Sequence, residues 1–274
     1  MNNLKQILTN YEAILFDAYG VLVNSEQALP HANEVLSYLK SINKPYYLLT
    51  NDSSKTAITA STKYLKFGLD INPEQIISSG SLLTDYFAEH NLQGKRCLVL
   101  GPADSFNFIT EAGGKLVNIN EDFEVLVICD ETGYPFLETI DQVISLLFQK
   151  FDRQEQVELI LPNPDLIFSK SESQFGLASG SIALIIEEAL KIRFGKNTLH
   201  QFVKLGKPYN RIFAAAFKKT STMKMLMIGD QMETDIKGAH SFGIDSLLLS
   251  GGVTNLELKQ LDFKPTYVLE NLAL

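Results

Sequence analysis

Short apolar runs, each stopped by a polar residue, recur along this 274-residue chain and alternate with segments of helical period. The strand-like runs fall at 13–17, 45–50, 97–100, 125–129, 157–161, 224–228 and 245–249. Helical segments fall at 28–42, 54–67, 135–150, 178–194, 208–219 and 234–242. Strands separated by helices are joined by crossovers, and right-handed crossovers lay the strands side by side in parallel. The alternation therefore predicts an α/β fold built on a doubly wound, mainly parallel sheet. No repeat of 20–50 residues and no low-complexity linker breaks the pattern.

Composition narrows the function. The hydrophobic fraction is 45% and the charged fraction 20%, both ordinary for a globular chain. A net charge of −8 argues against a general nucleic-acid binder, which needs a basic face for the phosphates. A small phosphorylated ligand stays open, because a few local cations suffice to hold it. Cys97 and Cys129 sit inside apolar runs and read as buried strand residues rather than a disulfide or metal pair. No apolar run approaches the ~18 residues of a membrane span, and the first residues lack a signal-peptide pattern. A cytoplasmic protein without membrane association is the expectation.

In open α/β sheets, ligands gather at the carboxyl ends of the strands. There the first strand ends on Asp17, the second on Thr50 and Asn51, and the strand at 224–228 on Gly229 and Asp230, while Lys207 opens the helix leading into the last. Each residue alone has a structural explanation: strand-end aspartates form turns, and Asn51, Asp52, Ser53 or Thr234 would serve as helix caps. Together they fit phosphoryl chemistry. Gly20 permits a tight loop whose N–H groups face an anion. A carboxylate beside a phosphate needs a bridging cation, and oxygen-only ligands such as Asp17 and Asp230 favour Mg²⁺. Thr50 would donate its hydroxyl to the phosphate, and Lys207 would balance charge.

These four stations resemble the four motifs of the haloacid dehalogenase superfamily, and more narrowly its NagD or p-nitrophenylphosphatase-type branch. The resemblance rests on Phe16-Asp17-Ala18-Tyr19-Gly20-Val21-Leu22, Leu49-Thr50-Asn51-Asp52-Ser53-Ser54-Lys55, Leu205-Gly206-Lys207-Pro208, and Ile228-Gly229-Asp230 through Thr234-Asp235-Ile236. Pro265-Thr266-Tyr267-Val268-Leu269 also fits the branch. The resemblance implies a Rossmann-like core at 1–81 and 201–274, interrupted by an inserted α/β cap domain at 82–200. It implies Asp17 and Lys207 as catalytic residues, and Asp17, the Tyr19 carbonyl, Asp230 and Asp235 around Mg²⁺, with Asp235 in a supporting role. Ala18, Tyr19, Thr50, Asn51 and Lys207 would bind the phosphate. Leu161-Pro162-Asn163-Pro164-Asp165 looks like the branch's cap element, which places Asn163 and Asp165 near the substrate. The implied partner is a small phosphorylated metabolite, and a homodimer formed through the cap is compatible with the branch.

One departure bears on mechanism. The family's phosphatases carry a second aspartate two residues after the nucleophile, as acid and then base; here that residue is Tyr19. A phenol with an ordinary pKa near 10 is a poor base at neutral pH, and such help is worth roughly 10²–10⁴ in rate. A weakly catalytic or non-catalytic phospho-ligand binder is therefore the alternative. Asp-Ala-Tyr-Gly also matches the first motif of the metal-free haloacid dehalogenases, a lesser reading that the Gly229–Asp235 run opposes.

Overall fold

The computed structural model describes residues 3–171, 174–196, 199–250 and 263–274. The chain opens with α1 (Leu4–Thr9), β1 (Ala13–Phe16), α2 (Ala32–Ser41), β2 (Tyr46–Thr50), α3 (Ala57–Lys66) and β3 (Ile76–Ser78). It continues through α4 (Leu82–Glu89), β4 (Arg96–Leu100), α5 (Phe106–Glu111), β5 (Lys115–Val117), β6 (Val125–Ile128), α6 (Phe136–Asp152) and β7 (Glu158–Leu161). The hairpin strands β8 (Ile167–Ser171) and β9 (Gln174–Leu177), then α7 (Ser179–Phe194) and β10 (Val203–Lys204), follow. The last elements are α8 (Asn210–Thr220), β11 (Met225–Gly229), α9 (Lys237–Phe242), β12 (Asp245–Leu249) and β13 (Tyr267–Leu269).

Two parallel sheets result. One runs β13-β12-β11-β1-β2-β3 and the other β10-β7-β6-β4-β5, with β8 and β9 as a separate antiparallel pair. All four residues of β1 and all five of β11 are buried, as strands covered on both faces require. Within β1 the side chains divide between the faces. Ile14 and Phe16 join α1 and α2 through Leu8, Val35 and Leu39, while Ala13 and Leu15 join α8 through Ile212 and Phe213. That is the double winding expected from the alternation.

The strand order places a topological switch at β1. From there the chain winds outward to β2 and β3, then returns on the other side as β11, β12 and β13. Phe16 pairs with Ile228 in register, so the ends of β1 and β11 lie side by side. Every strand of the second sheet comes from chain between β3 and β11, and β10 carries that sheet past residue 200. One apolar cluster links the sheets, joining Leu15 and Leu49 to Phe87 and Phe108 and to Val127 and Ile160. The far face of the second sheet packs against α6 and α7 through Val143, Leu147, Ile182 and Ile186.

Several expected elements shift. The helix expected over 28–42 begins at Ala32, because residues 19–29 form a loop bridged at Tyr19–Val23 and Val23–Ala28 and tied by Leu29 N–H to Leu22 O at 2.9 Å. The helix expected over 54–67 begins at Ala57, where the side chain of Thr56 accepts the Thr59 N–H. The segment 234–242 opens as a π-helical turn, Met232–Ile236, before α9, so Thr234 lies inside that turn rather than capping it. Short elements such as α1, β3, β5 and β10 carry too few residues for a periodic signal and are held by packing instead. Cys97 and Cys129 are buried and unbridged. Among the described residues no helix is long and apolar enough to cross a membrane.

Candidate active site

Asp17 follows β1, and its N–H bonds Ile228 O at 2.9 Å, which fixes it against the end of β11. The chain then turns through Gly20 at φ +84°, where a Cβ would stand 2.3 Å from Asp230 Oδ2. Glycine is required there by both backbone sign and space. Lys207 Nζ donates to Asp17 Oδ1 at 2.6 Å and to Asp235 Oδ1 at 2.7 Å. The π-helical turn brings Asp235 round so that its other oxygen accepts the Gln231 N–H at 3.1 Å; such widened turns recur at functional sites. One carboxylate oxygen from each of Asp17, Asp230 and Asp235 lies within 4.8 Å of the others, all three residues being buried.

The loop after β2 serves two purposes. Thr50 Oγ1 accepts the Asp52 N–H at 3.1 Å, leaving its hydroxyl hydrogen to donate. Asn51 Oδ1 accepts the Lys207 N–H at 2.7 Å, and its Nδ2 donates to Lys207 O at 3.0 Å and Asp165 Oδ1 at 2.8 Å. Further along, Ser53 Oγ donates to Cys129 O at 2.5 Å, and the Thr56 N–H to Asp104 Oδ2 at 2.7 Å. Asn51, Ser53 and Thr56 thus each grip a different loop at the carboxyl edge of the second sheet.

Charge is concentrated here. Burial raises the Asp17 carboxyl to about 7 against the pull of Lys207, so the ammonium 2.6 Å away is what sustains its ionised form. Burial pulls Lys207 down, but Asp17, Asp235 and Asp165 more than offset it and hold the lysine above its ordinary value. Burial likewise lifts Asp165 to about 6. The Tyr19 phenol is raised by burial and then by Asp52. Its hydroxyl accepts from Lys63 Nζ at 2.7 Å, with the same ammonium 4.8 Å from the ring centre.

A cavity of about 510 Å³ opens above Asp17. Of the residues named from the sequence, Asp17, Tyr19, Thr50, Asn51, Asn163 and Asp165 line it. Ala18 does not: it is buried in the core, with its carbonyl taken by the N–H groups of Leu22 and Val23. Asn163 Oδ1 accepts the Asp165 N–H at 2.9 Å. Sequence reasoning missed Asp104, Asp130 and Glu131, which line the same cavity from the loops after β4 and β6. The signal was present, because the strand-end rule applied to the first sheet also picks out Gly-Pro-Ala-Asp after β4 and Cys-Asp-Glu-Thr after β6. A second hollow of about 570 Å³ lies at the opposite, amino edge of the second sheet, beside Glu124, Phe151, Glu158 and His200, away from every one of these groups.

Residues 14–115 match a family model described as haloacid dehalogenase-like hydrolase, and residues 204–274 match a second of the same kind. The chain is 29% identical over 262 residues to the dihydroxyacetone phosphatase of Corynebacterium glutamicum (strain R), covering 94% of this chain and 88% of that one. A possible sugar phosphatase from Cytophaga hutchinsonii has a similar structure, with a TM-score of 0.87, 27% identity and coverage of 100% and 98%. NagD from E. coli K-12 shares the fold, with a TM-score of 0.77, 21% identity and coverage of 96% and 97%.

Proposed function

This chain belongs to the haloacid dehalogenase superfamily, on its NagD-like branch, and from that premise we propose a magnesium-dependent phosphatase acting on a small phosphorylated sugar or polyol through an aspartyl-phosphate intermediate. The observation that carries the reading is Asp17, buried at a strand end, bonded at 2.6 Å to a buried lysine and facing an open cavity. The names of the relatives, a dihydroxyacetone phosphatase and a possible sugar phosphatase, support the substrate class.

The residues fit Mg²⁺, since three buried carboxylates converge on one point with oxygen donors only. Asp17, the Tyr19 carbonyl and Asp230 would hold the ion. Asp235 would act in support, because Lys207 and Gln231 already engage its two oxygens. When bound, the ion neutralises phosphate charge and allows two anions to meet. Asp17 attacks phosphorus, with Lys207 and the Thr50 hydroxyl holding the phosphoryl oxygens. Asn51 fixes Lys207 by both its backbone N–H and its carbonyl. The five-stranded sheet acts as the cap, covering the leaving group from above with Asn163 and Asp165. Tyr19 adds no acid or base, being bound to Lys63 and raised beyond neutral range.

The reading is tested by phosphate release over a panel of sugar and polyol phosphates with Mg²⁺, using Asp17→Asn as blank. Release by the parent alone supports it. The position of Tyr19 favours one competing reading, a phospho-ligand binder: tight Mg²⁺-dependent binding by calorimetry without release would replace the enzyme with that.

A further inference from the structure

Transfer from an alkyl phosphate needs two proton movements that Asp17 cannot perform. The departing oxygen leaves as a strong base unless protonated, and the water that later attacks phosphorus must lose a proton. The groups available are those on the cavity wall, and most carboxylates there are already engaged. Asp52 Oδ1 accepts from Ser54 N at 2.8 Å and Ser54 Oγ at 2.6 Å. Asp104 holds the Thr56 N–H and Asn107, and Asp130 Oδ1 holds the N–H and hydroxyl of Thr132. Asp165 is bonded to Asn51. Glu131 is less committed: it lines the cavity, and among the described residues its carboxyl accepts its own backbone N–H and takes no hydrogen bond from another residue.

We propose that Glu131, carried by the second sheet, is the general acid and general base of the reaction at Asp17. The proposal rests on the phosphatase reading above. Its loop is well placed for the task. Ser53 Oγ bonds the Cys129 carbonyl, which ties the end of β6 to the loop that carries Thr50 and Asn51. Tyr134 OH bonds Asp130 O at 3.2 Å. Gly133, at φ +92°, packs so closely on the Gly101 backbone that a Cβ would meet it at 2.6 Å. The carboxyl is therefore presented from a braced turn rather than a free tip. Burial, and then the neighbouring Asp130 charge, push it up to about 7, where one group serves as acid and base in turn. The other groups facing it are Asp52 and Lys55 across the cavity, Tyr134 on its own loop, and Tyr19.

In the first half-reaction, an Asp17 carboxylate oxygen bonds to phosphorus. The bond from phosphorus to the substrate oxygen breaks, its electron pair goes to that oxygen, and the Glu131 proton follows, releasing the alcohol. In the second, the Glu131 carboxylate takes a proton from water as the water oxygen bonds to phosphorus. The Asp17–phosphorus bond breaks, phosphate leaves, and both side chains return to their starting forms.

The two roles separate kinetically. kcat/KM reports departure of the alcohol, whereas steady-state kcat includes hydrolysis of the intermediate. With Mg²⁺ present, Glu131→Gln is expected to lower kcat/KM on glycerol 1-phosphate about 10²-fold or more. On p-nitrophenyl phosphate, whose leaving oxygen needs little protonation, kcat/KM should change less than about tenfold. A burst of p-nitrophenolate approaching one per enzyme should then appear as the phosphoenzyme accumulates, and Glu131→Asp should recover part of the loss. An equal fall on both substrates without a burst marks a structural role and overturns the proposal. So does an unchanged Glu131→Gln, or the same signature in Asp165→Asn with Glu131→Gln silent. If the parent releases no phosphate from either substrate, the phosphatase reading itself fails and this proposal with it; if the parent turns over and only the Glu131 signature is absent, the proposal alone fails.

Discussion

Lys207 is 2% exposed and stands between Asp17 and Asp235, donating to both. Removing one member of a buried ionic cluster leaves the others desolvated and unpaired, at a cost of about 3–5 kcal/mol. Lys207→Met is therefore expected to lower unfolding free energy by that amount in urea titrations without metal; a change below about 1 kcal/mol would show that the lysine contributes charge to chemistry but little to the fold. Lys207→Arg should not restore the parent, because a planar fork cannot replace a compact ammonium held at 2.6 and 2.7 Å between two buried carboxylates. Asp165 gives a pH signature. Burial raises its carboxyl to about 6, so the folded protein holds a proton that the unfolded chain releases near its ordinary range. The native state then binds more protons between roughly pH 4 and 6, and stability falls as pH rises through that window. Asp165→Asn keeps an oxygen for Asn51 but cannot titrate. Its urea midpoint should fall less than the parent's between pH 4 and 7, and an identical fall would assign the slope to other groups.

At the scale of the element, the turn after β1 decides how close Asp230 stands to Asp17. Gly20 has a left-handed backbone and no room for a methyl, since a Cβ would overlap Asp230 Oδ2 at 2.3 Å. Gly20→Ala must either distort the turn, at about 1–3 kcal/mol, or push Asp230 aside. Both outcomes predict weaker Mg²⁺ binding by calorimetry, about tenfold or more, which corresponds to ~1.4 kcal/mol. Unchanged affinity would mean that Asp230 does not help hold the metal. The π-helical turn at Met232–Ile236 is the matching device on the other strand, aiming Asp235 at Lys207. Neither detail follows from periodicity. The sequence marks where a helix should start, but the wider turn exists because Asp235 has partners on two sides.

Across the whole molecule, the apolar cluster that joins Leu15 and Leu49 to Val127 and Ile160 leaves no seam between the sheets on that side. Unfolding by urea should accordingly give coincident far-ultraviolet and tyrosine signals; two separated transitions would show that the cluster does not couple the sheets. Mg²⁺ at a hundred times its Kd should add about 2.7 kcal/mol to the parent and nothing to Asp230→Asn. Much of this architecture was legible in one dimension. Fully apolar runs such as Ala13–Phe16 and Met225–Gly229 have only one economical use, as strands covered on both faces, and the polar residues that stop them must then fall on one edge. Asp17, Thr50, Asn51 and Asp230 stand out on that ground as a group, although each alone also reads as a turn or cap residue. What the chain order could not convey is which side chains from the second sheet meet them. Asp104, Asp130 and Glu131 lie dozens of residues from any first-sheet station, and their loops are tied to it by the hydrogen bonds that Ser53 and Thr56 make across the cavity. The direction of Tyr19 was equally hidden, because Lys63, its hydrogen-bond partner, is brought beside it only when α3 packs against the loop after β1. Strand identity and edge polarity are local properties of burial and period, so the sequence determined them. The facing of two strand edges across one cavity is a long-range packing outcome, and only the tertiary structure decided it.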